Sequence, residues 1–292
     1  MAERVVHFFS EGCRLEGDLF VPEGLSRGER RPGIVLCHGY SGIRELILPD
    51  YARRFVAAGY VALSFDYRGF GGSEGTRGRL IPMEQIDDIR NAITFAQMLA
   101  ELDPDRIGLW GTSFGGFHVP YAAGVDARVK AAVGQVGGGD GERFLLDTRN
   151  QAEREALFRL LDEDRRSRVL TGKGSASDTA TILASPQTRE FFKQALPAYP
   201  QLKIDVGWES AEKTLEYKPV DVVHKIAPRA LLLIGAIDDD LCKIGDYRNL
   251  IARAGEPKKL VELPIKHYDI YQPEWVEKTA ALAIEWYDRY LR

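Results

Sequence analysis

The sequence predicts an α/β architecture: a mostly parallel, doubly wound sheet with an N-terminal antiparallel hairpin and a helical insertion. Three observations carry that expectation. Near-continuous apolar runs of strand length recur along the chain, segments of helical period separate them, and this rhythm stops between about Gly141 and Pro228.

In chain order, RVVHFFS and RLEGDLFVP alternate in polarity about the turn-like pair Glu11-Gly12, the pattern of an antiparallel hairpin at a sheet edge. GIVLCHG (33–39), YVALSFDY (60–67), RIGLWGT (106–112), VKAAVGQVGG (129–138), ALLLIGA (230–236) and KLVELPI (259–265) then read as strands buried on both faces. Crossover helices are expected near 49–58, 83–101, 114–124, 243–254 and 274–290. In the second of these, Ile86, Ile89, Ile93 and Leu99 fall close to one stripe, with Asp87, Asp88 and Arg90 off it. Charged helical text such as QAEREALFRLLDEDRRSRV fills the block that follows VKAAVGQVGG. The expected organisation is therefore a core domain of residues 1–140 and 228–292, with residues 141–227 inserted as a helical cap.

Composition narrows the function classes. The 292 residues are 45% hydrophobic and 28% charged with a net charge of −4, so neither disorder nor a polyanion-binding surface is expected, and no nucleic-acid partner is implied. No run reaches the ~18 apolar residues of a membrane span. The first twenty residues carry charges through what would be the apolar core of a secretory signal. Cys13, Cys37 and Cys242 are odd in number and scattered, which argues against a disulfide scaffold. A cytoplasmic enzyme acting on a small molecule, without membrane association, is the expectation. Subunits could pair through the cap or the last strand edge as a homodimer.

Gly111-Thr112-Ser113-Phe114-Gly115 is the sharpest chemical signal: a G-x-S-x-G directly after a strand-like run and directly before a helix-compatible one. Glycines on both sides allow the close backbone approach of a tight turn that leaves the Ser113 hydroxyl exposed. A serine needs a base, and histidine has the suitable pKa. His7 falls in the edge hairpin and His224 in the approach to a strand, while His118 is one turn beyond Ser113 on the same helix, a place for packing or pocket lining. His38 ends the first buried strand. His267 follows KLVELPI in a loop, where α/β active sites gather, and is the expected base.

The base in turn needs a carboxylate. Asp238, Asp239 and Asp240 follow the strand ALLLIGA; Asp238 is favoured, three residues past Gly235, with Asp239 the adjacent alternative. The same run could be read as a metal cluster, but no second ligand group has compatible spacing, so neither metal nor cofactor is expected. Oxyanion donors are expected from the amides of Phe114, after the nucleophile, and Tyr40, in the loop His38-Gly39-Tyr40-Ser41-Gly42. His38, His118, Phe144 and Trp208 are candidate substrate contacts; the cap aromatics Phe158, Phe191, Phe192 and Tyr199 could likewise wall a pocket or simply form the cap's own core.

With these residues placed, HGYSG, FDYRGFGGSEG, DDIRNAITF, DPDRIGLWGTSFGG, DARVKAAV and LLLIGAIDDD together resemble the α/β-hydrolase superfamily, in particular bacterial dienelactone-hydrolase-like and acetyl-xylan-esterase-like enzymes, including the YcjY-type group. The resemblance spans nearly all of the chain outside 141–227 and implies the α/β-hydrolase fold with a triad of Ser113, Asp238 and His267. Dienelactone hydrolases use a cysteine nucleophile, so serine at position 113 does not imply that substrate. The implied activity is a serine hydrolase cleaving a carboxylic ester through an acyl-enzyme. The alternative is cleavage of a carbon–carbon bond beside a ketone, or of a thioester, lactone or amide, by the same apparatus. A processive peptidase is not expected, because a large gating domain does not fit 292 residues; a binding module without turnover would usually have lost Ser113 or His267.

Overall fold

Strands that are apolar at successive positions need cover on both faces. In the computed structural model, which describes residues 1–292, helices supply it on either side of an eight-stranded sheet. The chain runs through β1 (Ala2–Ser10), β2 (Cys13–Val21), β3 (Arg31–Cys37), α1 (Leu48–Ala57), β4 (Val61–Phe65), α2 (Pro82–Met98), β5 (Leu102–Thr112), α3 (Gly115–Val125) and β6 (Val129–Gln135). An insertion follows, comprising α4 (Gly141–Leu146), α5 (Gln151–Thr171), β7 (Ala176–Asp178), α6 (Thr179–Leu183), α7 (Pro186–Ala195), β8 (Asp205–Gly207) and α8 (Trp208–Leu215). The chain then rejoins the sheet through β9 (Ala230–Ala236), α9 (Ile244–Arg253), β10 (Lys258–Leu263) and α10 (Pro273–Tyr290).

The spatial order is β1-β2-β4-β3-β5-β6-β9-β10. The β1/β2 and β2/β4 pairings are antiparallel and the rest parallel. Alternation along each inner strand feeds two cores: Val35 and Cys37 join one apolar cluster with Leu63 and Leu109, while Ile34 and Leu36 join the other with Ala62 and Trp110. The first lies under α2, α3 and α9 and continues into the insertion through Phe144, Leu157 and Ile182; the second lies under α1 and α10. The β1/β2 turn has positive φ at both Glu11 (48°) and Gly12 (82°), the handedness that matches a two-residue hairpin.

Local sequence fixes the helix ends. Prolines stand at the first or second helical position of α1, α2, α7 and α10, where a missing N–H costs nothing. Asn150 and Glu153 form a capping box at the start of α5, which ends on left-handed Gly172 at φ 72°. No helix is long and apolar enough to cross a membrane.

Candidate active site

Every parallel strand delivers its carboxyl end to one edge of the sheet, the edge where open α/β sheets bind ligands. The loop after β3 holds His38–Gly42, the turn after β5 holds Ser113, and the loops after β9 and β10 hold Asp239 and His267. The insertion leaves from the same edge after β6 and returns at β9, so it covers these loops.

Ser113 occupies the turn between β5 and α3 with φ 55°, a left-handed conformation that costs an L-residue roughly 1–2 kcal/mol. The surroundings enforce it: the Ser113 amide donates to the Gln135 carbonyl at 3.0 Å, and the Gly116 amide donates to the Ser113 carbonyl at 2.8 Å. A Cβ at Gly115 would lie 2.2 Å from the Cys37 carbonyl oxygen, and one at Gly111 2.3 Å from that of Gly115. Both glycines of the motif are thus required by backbone contact.

His267 Nε2 lies 3.0 Å from Ser113 Oγ, and Nδ1 lies 2.7 Å from Asp239 Oδ2. Both His267 and Asp239 are buried. Asp239 Oδ1 also accepts the amides of Leu241 (2.8 Å) and Cys242 (2.7 Å), so the carboxylate is held from both sides. The neighbour favoured by motif spacing, Asp238, is exposed and does not reach His267. The correction has a physical cause. β9 runs to Ala236, one residue past Gly235, and Ile237 and Asp238 then form a turn whose amides donate to the carbonyls of Leu263 and Ile265, so the side chain that meets the imidazole is the one after that turn, Asp239.

The amides of Tyr40 and Phe114 donate to no protein acceptor and so are free to donate to another oxygen. His38 shapes their loop: its Nε2 accepts the Tyr67 amide at 3.4 Å, which leaves Nδ1–H to donate to the Gly39 carbonyl at 2.9 Å. Beside Ser113 opens a narrow, mostly apolar cavity of about 50 Å³, walled by His38, Tyr40, Ile43, Leu183, Phe191 and Phe192 among others.

Three candidate substrate contacts lie elsewhere. His118 is fully buried between Gln85 Oε1 (2.9 Å) and the Tyr217 hydroxyl (3.1 Å), and burial lowers its pKa to about 3. It is a neutral packing residue behind the turn. Phe144 is buried against Phe114 at 5.5 Å and Phe117 at 5.0 Å and packs in the core. Trp208 opens α8 and packs in the core shared with the insertion, outside the cavity walls. Of the insertion's aromatics, Phe191 and Phe192 do reach the cavity.

Residues that sequence reasoning passed over tie the insertion to the site. Gln187 on α7 accepts the His267 amide on Oε1 at 3.1 Å and donates from Nε2 to the Asp238 carbonyl at 3.3 Å. Asp240 accepts the Ser185 hydroxyl at 2.8 Å and the Gln187 amide at 3.3 Å, and the Tyr268 hydroxyl donates to Thr188 at 2.9 Å. The three aspartates therefore have separate positions: one exposed, one on the imidazole, one on the start of α7. Tyr268 and Tyr271, also cavity walls, stand one and four residues after His267, an adjacency that could have flagged them.

Asp239, Cys242 and His267 bring three metal-ligand atoms within 4.8 Å of one another. Their chemistry does not suit an ion: Asp239 and His267 already satisfy each other, and burial pushes the Cys242 thiol well above its usual range, keeping it protonated.

A parallel sheet that presents its serine on a strand-to-helix turn, and brings histidine and aspartate from later loops, defines an α/β-hydrolase. The chain belongs to the X-Pro dipeptidyl-peptidase (S15) family, whose model matches residues 11–197. It is 35% identical over 286 residues, 98% of each chain, to an uncharacterized 31.7 kDa protein of the traX-finO intergenic region of Escherichia coli. The thiohydrolase aneE of Aspergillus aculeatus is 36% identical over 124 residues, 42% of this chain and 37% of that protein. The crystal structure of the α/β-hydrolase GrgF from a Penicillium species superposes with a TM-score of 0.83 at 25% identity, covering 100% of this chain and 99% of the other.

Proposed function

We propose that the protein hydrolyses a carboxylic ester or thioester through an acyl-enzyme on Ser113. The single observation that supports this reading is the hydrogen-bonded row from Ser113 Oγ to His267 Nε2 at 3.0 Å and from His267 Nδ1 to Asp239 at 2.7 Å. Oγ attacks the carbonyl carbon as its proton passes to His267 Nε2. The oxyanion accepts hydrogen bonds from the Tyr40 and Phe114 amides, each worth about 2.7–4 kcal/mol. Collapse of the intermediate breaks the bond to the leaving oxygen or sulfur, which takes the proton from Nε2. Water then repeats the sequence and releases the acid, while Asp239 accepts from Nδ1–H throughout and stabilises the imidazolium.

A dipeptidyl peptidase, the activity in the family's name, has to hold a substrate α-ammonium, and no carboxylate lines the cavity. That favours acyl esters, and the thiohydrolase relative extends the reading to thioesters. The test is covalent labelling of the folded protein with a fluorophosphonate, mapped by mass spectrometry, alongside turnover of nitrophenyl esters. Modification at Ser113 is expected; folded protein that neither labels nor turns over would remove the proposal. Product analysis separates ester cleavage, which leaves an alcohol, from carbon–carbon cleavage, which leaves a ketone.

A further inference from the structure

We propose that the surface groove beside His267 is the leaving-group site and the inner cavity the acyl site, so that the substrate joins a short apolar acyl group to a large alcohol or thiol bearing amide or hydroxyl groups. The inference rests on the acyl-transfer reading of Ser113 and assigns the two halves of its substrate.

Proton bookkeeping sets the direction. When the tetrahedral intermediate collapses, the departing oxygen or sulfur takes its proton from His267 Nε2, so the leaving group begins within hydrogen-bond reach of that atom. Lys266 and Tyr268, the residues on either side of His267, both line an open groove of about 680 Å³. The groove meets the cavity at Ile47, Phe191, Tyr268 and Tyr271, which wall both spaces. Phe191 and Tyr268 stack at 4.3 Å with an interplanar angle of 15°, a flat apolar surface at the threshold.

The two spaces differ in size and chemistry. Behind Ser113, Tyr40, Ile43, Leu46, Leu183 and Leu202 form an apolar wall around about 50 Å³. That is a third of the ~150 Å³ apolar cavity that admits benzene, enough for an acyl group of about two to four carbons. The outer groove is lined instead by the polar side chains of Gln187, Gln194, Gln272, Glu190, Asp269 and Lys266; Gln194 Nε2 donates to Glu190 Oε1 at 2.7 Å, and the Lys266 ammonium forms no ion pair. A substrate entering the other way round would leave its large alcohol or thiol in the smaller, mostly apolar space, away from the polar groove.

The experiment compares kcat/KM ratios within each enzyme. With 4-nitrophenol as the fixed leaving group, activity is expected to fall at least tenfold from butyryl to octanoyl. With acetyl fixed as a thioester, N-acetylcysteamine is expected to be turned over about tenfold better than ethanethiol. Leu202→Ala enlarges the inner cavity and should raise octanoyl over acetyl at least fivefold; Gln194→Trp fills the groove and should erase the preference for N-acetylcysteamine. Because each ratio is taken within one variant, partial unfolding cancels, and Leu183→Ala serves if Leu202→Ala does not fold. A wild-type preference for octanoyl, or a Gln194→Trp variant that keeps the N-acetylcysteamine preference, overturns the assignment while leaving acyl transfer intact. Failure of Ser113 to label would instead remove the underlying reading.

Discussion

In α3, nine of eleven residues are buried, whereas α5, nearly twice as long, buries three of twenty-one. The first helix follows the Ser113 turn into the sheet and is buried along most of its length. The second crosses the insertion on a capping box and ion pairs, including Arg168 with Asp164 and Glu212. Dense packing fixes a geometry to fractions of an ångström, and sparse packing lets a surface vary. On the proposed reading the acyl chemistry sits on the sheet edge, while α7 and the segments beside it in the insertion supply Leu183, Phe191, Phe192 and Leu202 to a cavity whose other walls come from the core.

The comparison breaks most sharply at the sheet edge. Ser113→Ala is expected to lower turnover by about 10⁴-fold or more while far-UV dichroism stays unchanged; near-normal rates would move the chemistry elsewhere. Asp239→Asn should cost about 10⁴-fold in kcat, and Asp238→Asn less than about threefold, because only the former orients the imidazole. Equal losses in the two would erase the distinction drawn between these neighbours.

His118 joins the two regions, since α3 carries it and Tyr217 of the insertion contacts it. Its pKa falls from 6.5 to about 3 through burial, so the unfolded chain binds the proton first. Stability from this group is fully present above pH 6.5 and is lost as pH falls from there toward 3, on the order of 5 kcal/mol over the span. Urea unfolding at stepped pH should show His118→Gln with a flatter acid limb; an unchanged slope would place the sensitivity elsewhere. The smallest effect belongs to the insertion's grip on the loops. Gln187→Met should lower kcat about tenfold with little change in KM, and Gln187→Glu, which still accepts from the His267 amide, should recover part of it. A rise in KM alone would make Gln187 a substrate contact instead.

The strands were readable because burial on both faces writes itself into sequence as unbroken Val, Ile, Leu and Ala. Ser113 and His267 were readable because glycine spacing and a loop after a terminal strand mark them. The carboxylate on His267 lies one residue past the expected Asp238: how the turn at Ile237 and Asp238 closes, with its amides on the carbonyls of Leu263 and Ile265, depends on the neighbouring strand. Phe144 and Trp208 misled for a related reason, since an aromatic ring in an amphipathic helix looks the same whether it faces a cavity or a core. Gln187 and Asp240 carried no local signal, because they act across more than fifty residues of chain.

Ser113 is also one of six non-glycine residues whose backbone is held at positive φ, a conformation that suits glycine better than a residue with a side chain. Selection for heat resistance alone, blind to turnover, would therefore erode this position and recover glycine there, trading a working catalyst for a tougher inert protein. On the proposed reading, a hydroxyl persists there only under a demand for activity.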